Sequence, residues 1–152
     1  MSALLYFSKG GTLMNELDAQ RIKDTLIALG ASSRTKGFRF FNIGIRLYVE
    51  NVIHNPGILH KIYKLIAEMT GETVVTVERN MHDTLNAGWP NRDKELAKTI
   101  FSRFLQSEAD VPCVTLYTSM IGEWILKDIP ESIWFRYIGK DGRIHLPASS
   151  NT

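Results

Sequence analysis

Residues 58–89 read ILHKIYKLIAEMTGETVVTVERNMHDTLNAGW and carry the clearest structural signal in the chain. Apolar residues recur at spacings of three and four through the first half, which predicts an amphipathic helix. These residues are Leu59, Ile62, Tyr63, Leu65, Ile66 and Met69. Gly71 can adopt the positive φ of a tight helix-ending turn, and the Thr73 hydroxyl is suited to cap a second helix. The stretch therefore predicts two helices joined by a tight turn.

The second predicted helix has an apolar inner stripe and a mixed outer face. The inner stripe consists of Val74, Val77, Met81 and Leu85. The outward residues are Val75, Thr76, Arg79, Asn80 and His82. In a helix-turn-helix that reads DNA, outward residues near the start of the second helix meet base edges in the major groove. Ordinary α-hairpins inside helical bundles share this layout, so the spacing leaves both interpretations open.

Charge inside this stretch does not separate the two interpretations. Between residues 70 and 89 the acids Glu72, Glu78 and Asp83 outnumber the single base Arg79. A DNA-facing helix of this net sign must take its attraction to phosphates from elsewhere on the surface.

A basic segment earlier in the chain is the strongest candidate for that attraction. Arg34, Lys36, Arg39 and Arg46 have no acidic residue among them from residue 34 to residue 46. Basic side chains of this kind neutralise backbone phosphates without reading sequence. Each is equally well interpreted as a solvated surface residue.

The remaining sequence is mostly helical in pattern. A helical stripe from 15 to 29 stops at Gly30, and a polar connector over 31–37 leads to a second helix from Phe38 that ends before Asn55-Pro56-Gly57. After the break at Pro90, a further helix places inward Leu96, Ile100, Phe101, Phe104 and Leu105. Residues 111–127 form the last predicted helix, and residues 133–146 read as a small β-hairpin. The predicted fold class is all-α: a helical bundle containing a helix-turn-helix, with room for that C-terminal hairpin.

Several phrases, in order, resemble one family of regulators. They are Leu29-Gly30-Ala31, Lys36-Gly37-Phe38, Ile66-Ala67, Thr73, Val77-Glu78-Arg79 and the run from Ala87 to Trp89. From about residue 18 to about residue 126, the chain resembles the C-terminal DNA-binding effector domain of the stage zero sporulation protein A family, which regulates sporulation in endospore-forming bacteria. The resemblance implies an all-helical domain whose recognition helix binds a short operator box, often in tandem copies.

The resemblance also implies roles for individual residues. Glu78 and Arg79 match a Glu-Arg pair of the family that contacts bases or backbone in the groove. An arginine fork fits the O6 and N7 atoms of guanine, and a glutamate can accept from N4 of cytosine. The predicted base-reading set is Val75, Thr76, Glu78, Arg79 and His82. The predicted phosphate-binding set is Thr73, Arg34, Lys36 and Arg39. An alternative for Arg79 is a solvated helix pair with Asp83.

Two basic contacts of the family are missing from this reading face. Val75-Thr76 stands where the family usually has Ser-Arg, and His82 stands where it has a further arginine. Valine and threonine methyl groups can still touch a thymine methyl. We therefore expect weaker or altered sequence preference. A second function class stays open: a protein-interaction module that dimerises with a full-length regulator and binds DNA weakly or not at all.

The sequence divides into three expected segments. Residues 1–13 are a translated leader or a flexible arm, because Lys9-Gly10-Gly11 can be encoded by a ribosome-binding sequence and Met14 follows at a suitable distance. Residues 14–129 form the DNA-binding domain and residues 130–152 a C-terminal extension of hairpin and tail. No phosphoreceiver domain fits before residue 18, so we expect control by synthesis level or by pairing with a full-length relative.

Composition agrees with a regulator and offers no sign of catalysis. The chain has 152 residues, 44% hydrophobic content and a net charge of +2, as expected for one globular domain. The expected location is the cytoplasm, at the nucleoid. A single cysteine, Cys113, excludes an internal disulfide and is expected to be a small buried residue. We expect no enzymatic activity, cofactor, metal or membrane span. The expected partners are double-stranded DNA and a second copy, as a homodimer or in tandem on DNA.

Overall fold

A computed structural model of the chain describes residues 16–102, 104–105, 107 and 110–127. Its α-helices are α1 (Glu16–Ala28), α2 (Lys36–Asn51), α3 (Ile62–Thr70), α4 (Val74–Gly88), α5 (Lys94–Phe101) and α6 (Val114–Lys127). Short 3-10 turns span Pro56–Lys61 and Trp89–Asn91. No strand occurs among the described residues, which confirms the all-α prediction. The predicted leader over 1–13 and the hairpin over 133–146 lie outside them.

Helix α2 is the centre of the bundle. It packs against α1, α3, α4 and α6, and eleven of its sixteen residues are buried. A helix that is apolar on most sides is stable when other helices cover it. Next to α2 lies an aromatic cluster in which Phe41, Phe101 and Trp89 surround Tyr117, at centroid distances of 4.8, 5.8 and 6.3 Å. Burial raises the pKa of the Tyr117 hydroxyl far above its ordinary value.

Two glycines, one after α1 and one at the start of α2, let the chain touch α4. Gly30 has a left-handed φ of 92°, and a Cβ there would lie 2.0 Å from the Gly88 carbonyl oxygen. A Cβ on Gly37 would lie 2.2 Å from the Asn80 carbonyl oxygen. Nearby, the Asp93 amide N–H donates to the Ala28 carbonyl at 2.7 Å, which joins the start of α5 to the end of α1. These contacts fix where α4 sits against the bundle.

Helix boundaries differ from prediction where capping decides them. Helix α2 begins at Lys36 rather than Phe38, because the Thr35 hydroxyl accepts from the Phe38 N–H and caps the helix. Residues 56–61 are a 3-10 turn, so α3 begins at Ile62. Helix α6 begins at Val114 rather than at residue 111.

Three side-chain predictions were wrong. Val74, predicted to face inward, is 42% exposed at the first position of α4. Phe104 is 47% exposed because α5 ends at Phe101, before the helical stripe reaches it. Cys113 is exposed because it precedes α6. Arg46 remains 41% exposed at its side chain, and its Nε lies 3.5 Å from the buried Glu50 carboxylate.

Candidate nucleic-acid interface

The turn between α3 and α4 is built as the sequence predicts. Gly71 ends α3 in the left-handed conformation, with φ 74° and ψ 13°. The Thr73 hydroxyl oxygen accepts from the Thr76 N–H at 3.1 Å and so caps α4. Such a cap satisfies one of the backbone donors that a helix start leaves free. The predicted helix-turn-helix is therefore present at residues 62–88.

The buried face of α4 fixes how the helix is turned. Val77, Met81 and Leu85 are almost fully buried, and Gly88 is buried on the same stripe. The three and four residue spacing of this stripe turns the opposite side outward. That exposed face carries Val75, Glu78, Arg79, His82, Asp83 and Asn86. Val75 is 70% exposed, more than any other large apolar side chain recorded as exposed among the described residues.

A groove of about 740 Å³ runs along one side of the exposed face, which we term the groove flank. Four of the five predicted base-reading residues line it, namely Val75, Glu78, Arg79 and His82. The facing wall consists of Tyr63 from α3 and of residues 111–115, which run into the start of α6. Sequence reasoning missed this wall, since residues 111–115 carry no local signal and reach α4 only through the packing of α6.

The groove flank has its own electrostatics. Burial, and then the nearby Glu78 carboxylate, raise the pKa of Tyr63. Burial of the Cys113 thiol opposes its ionisation, but hydrogen bonds from the Thr115 hydroxyl and from backbone N–H groups outweigh it and lower the Cys113 pKa. The groove therefore brings an acid, a base and a thiol together on a partly apolar surface.

The opposite side of α4, which we term the connector flank, faces residues 30–35. The Thr84 hydroxyl donates to Thr35 Oγ1 at 2.9 Å, so α4 is bonded to the N-cap of α2. A hollow of about 330 Å³ separates the two elsewhere. Thr76, the fifth predicted base-reading residue, does not line the groove and is half-buried. Its hydroxyl oxygen accepts from the Thr73 hydroxyl at 2.9 Å.

Two of the predicted phosphate-binding residues lie beside this flank. Arg34, Lys36 and Arg39 are exposed, and two of them adjoin the Thr35 cap. Lys36 Nζ lies 3.3 Å from the Glu72 carboxylate in the turn before α4. Because the Lys36 side chain is 64% exposed, this ion pair is weak and can exchange for another anion. The Thr73 hydroxyl is already engaged in capping.

Two details bear on the centre of the reading face. No ion pair or hydrogen bond of Arg79 is recorded among the described residues, so the alternative pairing with Asp83 is not formed. The Asn86 side-chain amide donates to the His82 carbonyl at 2.8 Å and also lies beside the His82 ring. Because Arg79 makes no such contact within the described part of the chain, its guanidinium is available to a ligand.

Other kinds of site find no support in the described part of the chain. No group of three or more His, Cys, Asp or Glu side chains there is arranged to hold a metal ion. Among the same residues, no helix has the length and apolar character needed to cross a membrane.

Comparison with known protein families gives a match. Residues 22–125 match the family model described as the C terminal of the sporulation initiation factor Spo0A. The match includes all of α2 to α5 and most of α1 and α6. A search of curated proteins found none that matches.

Proposed function

This chain belongs to the family of the Spo0A C-terminal domain, and from that premise we propose that it is a sequence-specific regulator that reads double-stranded DNA with α4. The family is a DNA-binding regulatory domain of sporulation response regulators and is not an enzyme family. One observation carries the proposal: a capped helix-turn-helix presents an exposed face on which Arg79 has no partner among the described residues. We place its action in the cytoplasm, at the nucleoid.

Each side chain of the exposed face has a chemistry suited to a base edge. The Arg79 guanidinium fits the two acceptors of guanine, and the neighbouring Glu78 carboxylate fits the amino group of cytosine. Val75 supplies an exposed apolar contact for a thymine methyl. His82, one turn beyond Glu78, can donate or accept depending on its protonation. Thr76 lies outside the groove and can offer its methyl group to a thymine methyl.

Attraction to the backbone comes from beside the helix. The exposed face of α4 carries Arg79 against Glu78 and Asp83, so α4 itself does not attract phosphates. Arg34 and Lys36 supply positive charge beside the connector flank, and Arg39 adds an exposed base in the first turn of α2. When DNA docks there, Lys36 exchanges its contact with Glu72 for a contact with a phosphate. Thr73 is the N-cap of α4, and the N-terminus of a helix also favours a phosphate.

A salt titration of binding tests the proposal. A duplex carrying the operator box of the family and a scrambled duplex are compared for wild type, Arg79→Ala and Lys36→Ala. Lys23→Ala serves as the control, because Lys23 is equally exposed but lies on α1. We expect Arg79→Ala to lose preference for the operator. Lys36→Ala should weaken binding to both duplexes and flatten the salt slope by about one.

The outcomes separate the function classes. Equal binding of both duplexes by wild type would mean that phosphate contacts are kept while base reading is lost. No binding to either duplex at low salt would overturn the regulator proposal and favour the protein-interaction module. The exposed apolar pair Val74 and Val75 is the observation that favours this second candidate, since such side chains also suit a protein partner. Either class is compatible with pairing of two copies or with a full-length regulator.

A further inference from the structure

The side chains of His82 and Asn86 lie one helix turn apart on the groove flank of α4. Both side chains are exposed. We propose that Asn86 positions the His82 ring for contact with a base, so that Asn86 contributes to sequence preference without reading a base itself. This inference rests on the proposed function, because it concerns how the same face of α4 reads DNA.

The Asn86 side chain is itself anchored to the helix. Its amide N–H donates to the His82 carbonyl oxygen at 2.8 Å. In an α-helix the same oxygen also accepts the backbone N–H four residues later, and its two lone pairs allow both bonds. A helical side chain leans toward the N-terminus of its helix, which brings Asn86 back over the preceding turn. The amide group therefore has a fixed position beside His82.

The anchored amide also contacts the imidazole ring of His82. Its nitrogen lies 3.3 Å from Nδ1 and 3.2 Å from Nε2. An amide nitrogen carries two N–H bonds, so one can donate to the carbonyl while the other faces the ring. Among the described residues, no other hydrogen-bond partner of the His82 side chain is recorded. Within that part of the chain, the orientation of the ring therefore depends on Asn86.

A ring that is already held in place binds a base at a lower entropic cost than a free ring. An exposed histidine that samples several rotamers loses this freedom when it contacts DNA. The cost of ordering one such side chain on binding corresponds to about two- to tenfold in affinity. Loss of Asn86 should therefore lower operator affinity by a factor of this size.

Direct base reading by Asn86 is the competing explanation, and the contacts of Asn86 argue against it. An asparagine recognises adenine with its amide N–H and its side-chain carbonyl oxygen together. The Asn86 amide nitrogen is already engaged by the carbonyl and the ring of His82. Asn86 also lies about 18 Å along the helix axis from Val74, the first residue of α4. Recognition helices contact base edges mainly with their N-terminal residues.

A double-mutant cycle tests the proposal. Operator preference, the ratio of the dissociation constants of the scrambled and operator duplexes, is measured by fluorescence anisotropy. We expect Asn86→Ala to lower this preference by about two- to tenfold. The double variant should lose no more than His82→Ala alone, because no ring is left to position. Gln20→Ala is the matched control, since the Gln20 amide donates to Asp24 at 2.9 Å on the exposed surface of α1.

NMR of the free protein adds a measurement that does not depend on DNA. The chain has four histidines, and His82→Ala identifies the signals of His82. Three-bond couplings about χ1 show whether a side chain holds one staggered rotamer or averages over several. We expect one rotamer of His82 in wild type and in Gln20→Ala, and averaged couplings in Asn86→Ala.

Three results would overturn the inference. Operator preference that survives Asn86→Ala would show that Asn86 is not needed for reading. A loss that persists in full on the His82→Ala background would make Asn86 a base contact in its own right. Averaged couplings of His82 in wild type would show that the ring is not held. Each of these results, with operator preference present in wild type, leaves the proposed function intact. Absence of that preference in wild type would overturn the proposed function and this inference together.

Discussion

On the connector flank of α4 the neighbouring segment touches the helix backbone, whereas on the groove flank an open space of about 740 Å³ separates α4 from residues 111–115. The close side has glycines and a threonine pair bonded across it. The open side has long polar side chains and an exposed valine. The difference shows that the connector flank sets the position of α4. The groove flank and the outward face of α4 therefore remain accessible to a ligand.

Gly37→Ala should have the largest effect, because it forces the close flank apart. The new Cβ would lie 2.1 Å from Thr84 Oγ1 and 2.2 Å from the Asn80 carbonyl oxygen. We expect the free energy of unfolding to fall by about 2–3 kcal/mol, as for other overpacked interiors. Urea denaturation measures it. Gly57→Ala is the matched control, since its nearest neighbour would be 3.9 Å away. Equal stability of the two variants would show that the flank is not closely packed.

Thr76→Arg tests whether the connector flank also contributes to reading. The substitution restores a base that the family usually has at this position. We expect operator binding to tighten by about 1–2 kcal/mol, the size of one added base or phosphate contact. Fluorescence anisotropy with the operator and scrambled duplexes measures the gain. Unchanged operator affinity would argue against placing this side of α4 in the groove of DNA.

Thr73→Ala should remove the cap on which both flanks depend. The Thr73 hydroxyl accepts from the Thr76 N–H and donates to the Thr76 hydroxyl. Loss of an N-cap costs about 1 kcal/mol of stability. Thr99→Ala is the control, because the Thr99 hydroxyl bonds to a carbonyl inside α5 and caps nothing. If both threonine variants unfold at the same urea concentration as wild type, the cap is not needed.

His82→Ala should have the smallest effect on stability, because the groove flank is open. The His82 side chain is exposed and lines the groove, so its removal leaves no buried cavity. We expect a change within about 0.5 kcal/mol in the free energy of unfolding, typical of surface substitutions. A loss as large as that of Gly37→Ala would mean that the two flanks are equally packed.

Local patterns predicted the elements that local chemistry determines. The turn at Gly71, the cap at Thr73 and the inward residues Val77, Met81 and Leu85 were read from the sequence and are confirmed. Each depends on residues within one or two turns of each other. The family resemblance is confirmed as well, over residues 22–125. The assignments of base-reading and phosphate-binding residues stay predictions.

Features that depend on distant residues escaped prediction. The wall at 111–115 reaches α4 through the packing of α6, and the partner of Lys36 is Glu72, thirty-six residues later. Arg46 appeared free of acids because Glu50 lies just beyond the segment considered, one helix turn away. The exposure of Cys113 and Phe104 depends on where α6 begins and α5 ends. Such facts arise from tertiary packing, which periodicity does not contain.

The hydrogen bond from the Asp93 N–H to the Ala28 carbonyl has a consequence for dynamics. This amide lies outside the helices, at the cap of α5, yet its acceptor is the last residue of α1. Its hydrogen can exchange with solvent only when α1 and the start of α5 separate. The rate of hydrogen exchange at the Asp93 amide would therefore report how often α1 separates from the start of α5.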